Sequence, residues 1–527
     1  MTSDINVIKV AKTSYFLQAS GSSFWVELAD RLSSDFRISL AVLDDRIASD
    51  FSRRLPDTQI LLGNDLKYGL FDRGSCSPVP ADVRQSFSYL KREREAIYAL
   101  DRAGVGGEVD LPDRLLLLSS LGDYFWGLFE QHQPAFGLAT EAPHTFPDLM
   151  MHAVAEARQV PILHFQQNGI MPSIRPVIGP RYQRLAVTDS VSSERNRRRR
   201  ENLERYRESV DSFLAGARQD QLVGYELDFQ ARDRRTFSGP KAFWRRFYIP
   251  YAWLSEEVEQ TKSFLQRNPS LQPDKPTPTH PIVLLGSRSR LVGASIRLAV
   301  LQGRALRRLR KALQDRSRNE VPNRYGAFFL QFEPEKTSVP DGGYFQDQLA
   351  AVRRVASSLE GHMKLLVREH PSQLTLIARG FRVRRARFYE ELARIPNVVL
   401  VGREVDRETL LRGAAVVFTL TGSIGLEARA RGIPVVALGY PWYIPLSGVF
   451  SPSADGCLVE AIDSALSWSA SQEEDFADEL WHLILSDSFV TLLNPSAARR
   501  FPDVEDDIAA LTELVAATFG SAPTGVA

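Results

Sequence analysis

Three polar clusters each close an apolar run, and each carries residue types that bind anions or move protons. After "GAFFLQF" come Glu333-Pro334-Glu335-Lys336-Thr337-Ser338. After "KLLVRE" come His370-Pro371-Ser372-Gln373, and after "AVVFTL" come Thr421-Gly422-Ser423-Ile424-Gly425, with Glu427 one turn further on. Glu333 and Glu335 offer carboxylates for a base, a nucleophile or an acceptor of sugar hydroxyls. A solvated loop with a helix cap would use the same residues. His370 can donate to a phosphate and, as imidazolium, add charge, while Pro371 fixes its turn. The dipeptide alone is weak, because His280-Pro281 repeats it in a Pro-rich loop. Gly422 and Gly425 allow close backbone approach, and Ser423 can cap the short helix "IGLEARAR", which Gly432 closes. A helix start with small neighbours suits an anion. Neither a Walker loop nor the three-glycine dinucleotide fingerprint is present. Glu427 could face a ribose hydroxyl or offset the helix dipole.

These clusters gain meaning from the elements that hold them. Residues of about 323–450 alternate strand and helix: "RYGAFFLQF", "FQDQLAAVRRVASSL", "MKLLVREH", "ARFYEELARI", "NVVLVG", "RETLLRGA", "AVVFTL" and "IPVVALG". The same alternation runs through the first 190 residues, with "SYFLQA", "RISLAVL", "DRLLLLSS", "FGLAT" and "PILHFQ" as strands and "HTFPDLMMHAVAEARQV" as a helix. Such alternation predicts parallel sheets covered on both faces. Ligands bind such sheets outside the carboxyl ends of their strands, where all three clusters fall. The expected division is therefore α/β at 1–190, a helical basic and aromatic interdomain region at 191–322, a second α/β domain at 323–450, and a helical tail at 451–527. Together the clusters suit a nucleotide with at least one phosphate and a sugar.

A chain of 527 residues exceeds one ordinary core, which agrees with two domains. Its net charge of +1 gives no global argument for nucleic acid. The two cysteines, Cys76 and Cys457, are far apart, which fits a reducing compartment and gives no metal spacing. No signal-peptide pattern opens the sequence, and no apolar run approaches the ~18 residues of a membrane span. A cytoplasmic protein is expected.

The segments "FFLQFEPEKTSVPDGGYFQDQLAAVRR", "KLLVREHPSQ", "FYEELARIPNVVLV" and "TLTGSIGLEARARGIPVVALGYPWY" resemble the bacterial capsule and surface-polysaccharide biosynthesis proteins. That family includes retaining β-Kdo transferases. The resemblance is specific over about 325–445 and looser over "PAFGLATEAPHTFPDLMMHAVAEARQVPILHF". It implies a GT-B glycosyltransferase: two Rossmann-like domains facing a cleft, with a CMP-activated ulosonic acid such as CMP-Kdo on the second. By this analogy His370 and Ser423 contact the CMP phosphate, Gly422 and Gly425 permit that approach, and Pro371, Thr421 and Glu427 complete the nucleotide side. Glu333 stands where related sequences often carry Gln. The first domain would hold a glycan or lipid-linked glycan acceptor, with Glu141 in acid/base work and His144, Ser20 and Gly21 beside it. Retention needs a carboxylate nucleophile or front-face departure, and either Glu333 or Glu335 could be the nucleophile. His370 and the helix dipole could stabilise the leaving phosphate, so no obligatory metal and no further cofactor are expected.

Other readings stay open. A UDP-sugar transferase or epimerase would keep the fold, as would a non-catalytic nucleotide- or glycan-binding partner. "KAFWRRFYIPYAWL" mixes basic and aromatic residues, which suits an anionic membrane surface or packing between domains. "RNRRRR" reads as a solvated helix face, and no nucleic-acid reader motif accompanies it.

Overall fold

The computed structural model describes residues 12–218 and 304–520, except 68, 103–110, 186, 188–189, 334, 360, 362, 375–379, 381–382, 403, 453–456, 470–475 and 492–503. The basic-aromatic stretch at 238–254, the Pro-rich loop at 268–281 and the first part of the basic helix expected at 294–316 lie outside the described residues.

The first sheet is built from β1 (Thr13–Ala19), β2 (Phe36–Leu43), β3 (Gln59–Leu62), β4 (Phe136–Ala139), β5 (Ile162–Asn168), β6 (Ser173–Ile178) and the short β7 (Gln183–Arg184). The second contains β8 (Tyr325–Phe329), β9 (Lys364–Arg368), β10 (Val398–Leu400), β11 (Ala414–Thr419), β12 (Val435–Ala437) and β13 (Val449–Phe450). A last strand, β14 (Phe489–Val490), returns to the first sheet.

The second sheet runs β10-β9-β8-β11-β12-β13 with every pairing parallel. That is the doubly wound Rossmann order, whose direction of winding reverses between β8 and β11. The first sheet repeats it as β3-β2-β1-β4-β5-β6, reversing between β1 and β4. Its far edge departs from the expected all-parallel sheet, because β5–β6, β6–β7 and β14–β6 are antiparallel. The short connection from Asn168 to Ser173 compels this, since a parallel return needs a crossover of a dozen or more residues.

Burial follows the sequence pattern. "AAVVFT" in β11 and "YGAFF" in β8 are near-continuous apolar runs, as strands covered on both faces require. Among them Gly326 is a packing necessity, since a Cβ there would lie 3.0 Å from Leu359 and Phe418. "DRLLLLSS", expected as a strand, instead opens the helix Leu111–His132. Its apolar period continues through Leu121, Phe125 and Leu128, all buried, and 22 residues is far beyond strand length.

The tail ties the molecule together. Helix Leu458–Ser467 packs in the core of the second sheet, while helix Glu505–Phe519 packs against helices Ser23–Leu32 and Ser193–Glu204 beside the first. Phe519 stacks on Phe136 of β4 with centroids 4.1 Å apart. The run "RNRRRR" is not wholly solvated. Arg199 is fully buried and donates to the carbonyls of Leu485 (2.8 Å) and Ser488, capping the helix Phe476–Asp487 where it leads into β14. The described part of the basic helix, 304–314, buries Leu306, Leu309 and Leu313 in the second core.

Candidate active site between two switch points

The carboxyl ends of the two sheets meet. Gln166 of β5 donates to the carbonyl of Tyr440 (2.6 Å), Arg175 of β6 to that of Trp442, and Tyr182 OH to Asp341. The rings of Tyr182 and Tyr440 stack at 5.1 Å. Tyr440 follows β12 and Asp341 follows β8, so the loops of the second sheet close over the antiparallel edge of the first.

In the second crevice, three loops are knitted by hydrogen bonds. Thr421 Oγ1 donates to the carbonyl of Thr337 (2.7 Å), and the Tyr440 amide donates to that of Asp341 (3.0 Å). Gln331, which follows β8, donates to Thr419 Oγ1 at 2.8 Å across the switch point. The turn glycines make room for protein atoms. A Cβ on Gly422 would sit 2.5 Å from Gln331 Nε2, and one on Gly425 2.3 Å from the Tyr443 hydroxyl. That hydroxyl donates to the Gly422 carbonyl at 2.5 Å.

Several expected roles change here. Ser423 does not cap its helix: its backbone is already helical and its side chain takes no amide of the helix Ile424–Arg429. Its hydroxyl is drawn instead toward Glu427, one turn away. Glu427 is buried and pairs with Arg407 at 2.6 Å, so it does not present itself to a ribose. Burial pushes its pKa up to about 7, against the pull of Arg407 and Arg431.

Glu333 is committed to the protein. Arg384, wholly buried, donates to Glu333 at 2.6 Å and to Glu369 at 2.7 Å, and Tyr389 adds a bond to Glu369 at 2.6 Å. Gln373 pins the backbone of Glu333 from both sides, at 2.8 and 3.0 Å. A carboxylate locked this way is a poor nucleophile. Glu335 accepts from Thr337 Oγ1 at 2.9 Å, and Pro334 between the two carboxylates lies outside the described residues.

His370 is neutral, so it keeps the expected donor role but not the added charge of an imidazolium. Burial, with Arg384 and Arg368 nearby, lowers its pKa to about 4. Its Nδ1 accepts from the Ser372 amide at 3.2 Å, which leaves the proton on Nε2 and makes the ring a neutral donor. Pro371 starts the short 3-10 turn that brings this amide round. Two strand spacings, about 10 Å, separate the ends of β9 and β11, with β8 and its following loop between His370 and Thr421.

In the first crevice the Ser20 amide donates to Thr140 Oγ1 at 3.3 Å, joining the ends of β1 and β4. Gly21 leaves space that Arg46 fills, since a Cβ would lie 2.4 Å from its guanidinium. Glu141 lies 3.3 Å from Nδ1 of His144 and pairs with Lys336 of the opposite domain. The side chains of Glu141 and Lys336 are 20% and 24% exposed. The structure thus brings Glu141, His144 and the 335–341 loop together. Sequence reasoning noted Lys336 only as part of a cluster and missed Gln331, Thr140, Arg384 and Tyr182. The strand-end position of Gln331 and Thr140 was the available signal. Among the described residues, no group of three or more His, Cys, Asp or Glu is placed to hold a metal. No described helix is long and apolar enough to cross a membrane.

Two Rossmann-order sheets with opposed carboxyl ends define an α/β protein of GT-B type. Residues 289–449 match the model of the capsule polysaccharide biosynthesis protein family, a span covering β8 to β12 and every candidate residue of the second crevice. No curated protein sequence matches the chain significantly. Among solved structures, Thermosulfurimonas dismutans KpsC, a β-Kdo 2,7-transferase, aligns at 15% identity and a TM-score of 0.22 over 41% of this chain and 61% of its own. The chain therefore spans about three-fifths of that relative. UDP-GlcNAc 2-epimerase of Methanocaldococcus jannaschii aligns at 10% identity and 0.23, covering 88% and 94%. A glycosyltransferase of Rickettsia africae aligns at 9% and 0.21, covering 96% and 97%. Scores this low assign no residue and no activity.

Proposed function

We propose that the protein is a glycosyltransferase of surface or capsular polysaccharide biosynthesis. It transfers an ulosonic acid such as Kdo from a CMP-activated donor to a glycan or lipid-linked glycan, at the cytoplasmic side. One observation carries this reading: the segment matching the capsule family is the segment whose crevice faces a second Rossmann-type crevice across a cleft. Such a cleft suits glycosyl transfer, with the donor held on one sheet and the acceptor on the other.

In this reading the neutral His370 donates through Nε2 to a phosphate oxygen, while the backbone of Thr421 to Gly425 borders it. Hydrogen bonds aimed at the departing phosphate stabilise the charge it gains on leaving. Glu141, beside His144, handles the acceptor proton. Of the two candidate nucleophiles, Glu335 is better placed than the ion-paired Glu333.

The test is a nucleotide panel read by thermal unfolding, followed by turnover of CMP-Kdo. A ligand at a hundred times its Kd stabilises by about 2.7 kcal/mol, so CMP is expected to raise Tm by several degrees while UDP and GDP do not. Protection by UDP alone would sink the donor assignment in favour of a UDP-sugar enzyme. Binding of CMP without turnover of any CMP-sugar would favour a binding partner.

A further inference from the structure

Lys336 joins the two crevices. It follows β8 at the switch point of the second sheet, and its partner Glu141 follows β4 at the switch point of the first. The pair spans the place where each sheet separately predicts a ligand. Both side chains keep some exposure, 24% for Lys336 and 20% for Glu141, so solvent reaches the pair.

A half-buried ammonium is favoured by an anion nearby. Burial opposes its charge, yet Glu141, Asp341 and Glu335 together hold its pKa above the ordinary value. Asp341 also accepts the Tyr182 hydroxyl, and Glu335 the Thr337 hydroxyl, so both serve the loop as well. Glu141 is the carboxylate that comes from across the cleft.

We infer that Lys336 receives the anionic group of a ligand entering between the domains, and that this group displaces the Glu141 carboxylate. The inference rests on the nucleotide-sugar reading for the identity of the anion, a sugar carboxylate or a nucleotide phosphate. Exchanging one anion for another leaves the ammonium paired throughout. A neutral ligand in the same place would take away the Glu141 partner and leave only Asp341 and Glu335 beside the ammonium, which makes the site selective for charge. The exchange also releases Glu141, beside His144, for proton transfer once the anion has docked.

Calorimetric titration of the full-length chain tests this with two probes: CMP, which carries only the phosphate, and free Kdo, which carries only the carboxylate. Lys336→Gln is expected to weaken the responding probe about tenfold, the scale of one hydrogen bond to a charged group, and Lys336→Arg to restore most of it. Glu141→Gln removes the competing anion and is expected to tighten the same probe severalfold. The opposite signs separate anion exchange from a strut, whose two halves would weaken binding together or leave it unchanged. If Glu141→Gln tightens neither probe, the inference is overturned, even where wild-type CMP binding upholds the donor reading. If wild type ignores CMP but Glu141→Gln tightens Kdo, the donor reading falls and the inference stands.

Discussion

The two crevices share a strand order but differ in where their charges find partners. In the second, Arg384 closes a buried network with Glu333, Glu369 and Tyr389, all from one domain. In the first, Glu141 reaches across to Lys336. Hydrogen bonds repeat the difference, although Arg175 also pairs with Asp487 at 3.2 Å. Gln331, Thr419 and Tyr443 knit the second crevice internally, whereas Gln166, Arg175 and Tyr182 spend their bonds on the opposite domain. The second crevice is thus organised by its own sheet. The first crevice, though Ser20 and Thr140 join two of its own strands, makes its charged contact with its neighbour, which makes it the side that domain motion would change.

The sharpest way to break this contrast is to cut both networks. Arg384→Ala leaves two carboxylates facing each other in a buried place, and removing one partner of a buried pair costs about 3–5 kcal/mol. Urea unfolding should report that loss, together with loss of any nucleotide protection, because Glu333 and Glu369 border the turn of His370. Glu141→Gln is expected to cost about 1 kcal/mol, as for a partly solvated pair. Equal costs would show that both crevices depend alike on their own charges.

Titration sharpens the comparison inside the second crevice. The pKa of Glu427 is raised by burial to about 7. A carboxyl raised on folding contributes stability that is full below its unfolded value, near 4.5, and is lost as pH rises through 7. Glu427→Gln stays neutral throughout. It should therefore gain on wild type between pH 5 and pH 8, by on the order of 2 kcal/mol in thermal or urea unfolding. His370 works in the other direction. Its folded pKa of about 4 lies below the ordinary 6.5, so stability present above 6.5 is lost as pH falls toward 4. A Glu427→Gln difference that does not change with pH would mean that Arg407 keeps the carboxylate charged.

Much of this was legible in the sequence because it is local. The runs "AAVVFT" and "YGAFF" read as buried strands, and the polar residues after them fall at strand ends in the fold. What the sequence concealed is long-range pairing. Glu141 and Lys336 lie 195 residues apart, and the carbonyls that bury Arg199 lie 286 and 289 residues away. A string of arginines looks solvated until the helix end that needs its donors is known. Glu333 looked like a free carboxylate for the same reason, since Arg384 lies 51 residues on among other arginines. "LLLL" misled in a different way, because four residues fit a strand or a helix and only the longer period decides.

The smallest expected effect tests what holds the loop at 141–144. Glu141 to His144 run directly into the helix Phe146–Ala157, which opens with a capping box. Thr145 Oγ1 accepts from the Asp148 amide at 3.4 Å, and Asp148 returns a carboxylate oxygen to the Thr145 amide at 3.1 Å. Thr145→Ala removes the first of these bonds and should cost about 1 kcal/mol in urea unfolding, with Thr145→Ser close to wild type. The informative measurement is the variant's proteolysis at this loop, alone and combined with Lys336→Gln. If Lys336 fixes the loop from across the cleft, Thr145→Ala alone leaves cleavage near the wild-type rate and the pair exceeds the sum of the single changes. If the helix start fixes it, Thr145→Ala alone exposes the loop and adding Lys336→Gln changes little, so the first crevice would be as self-organised as the second.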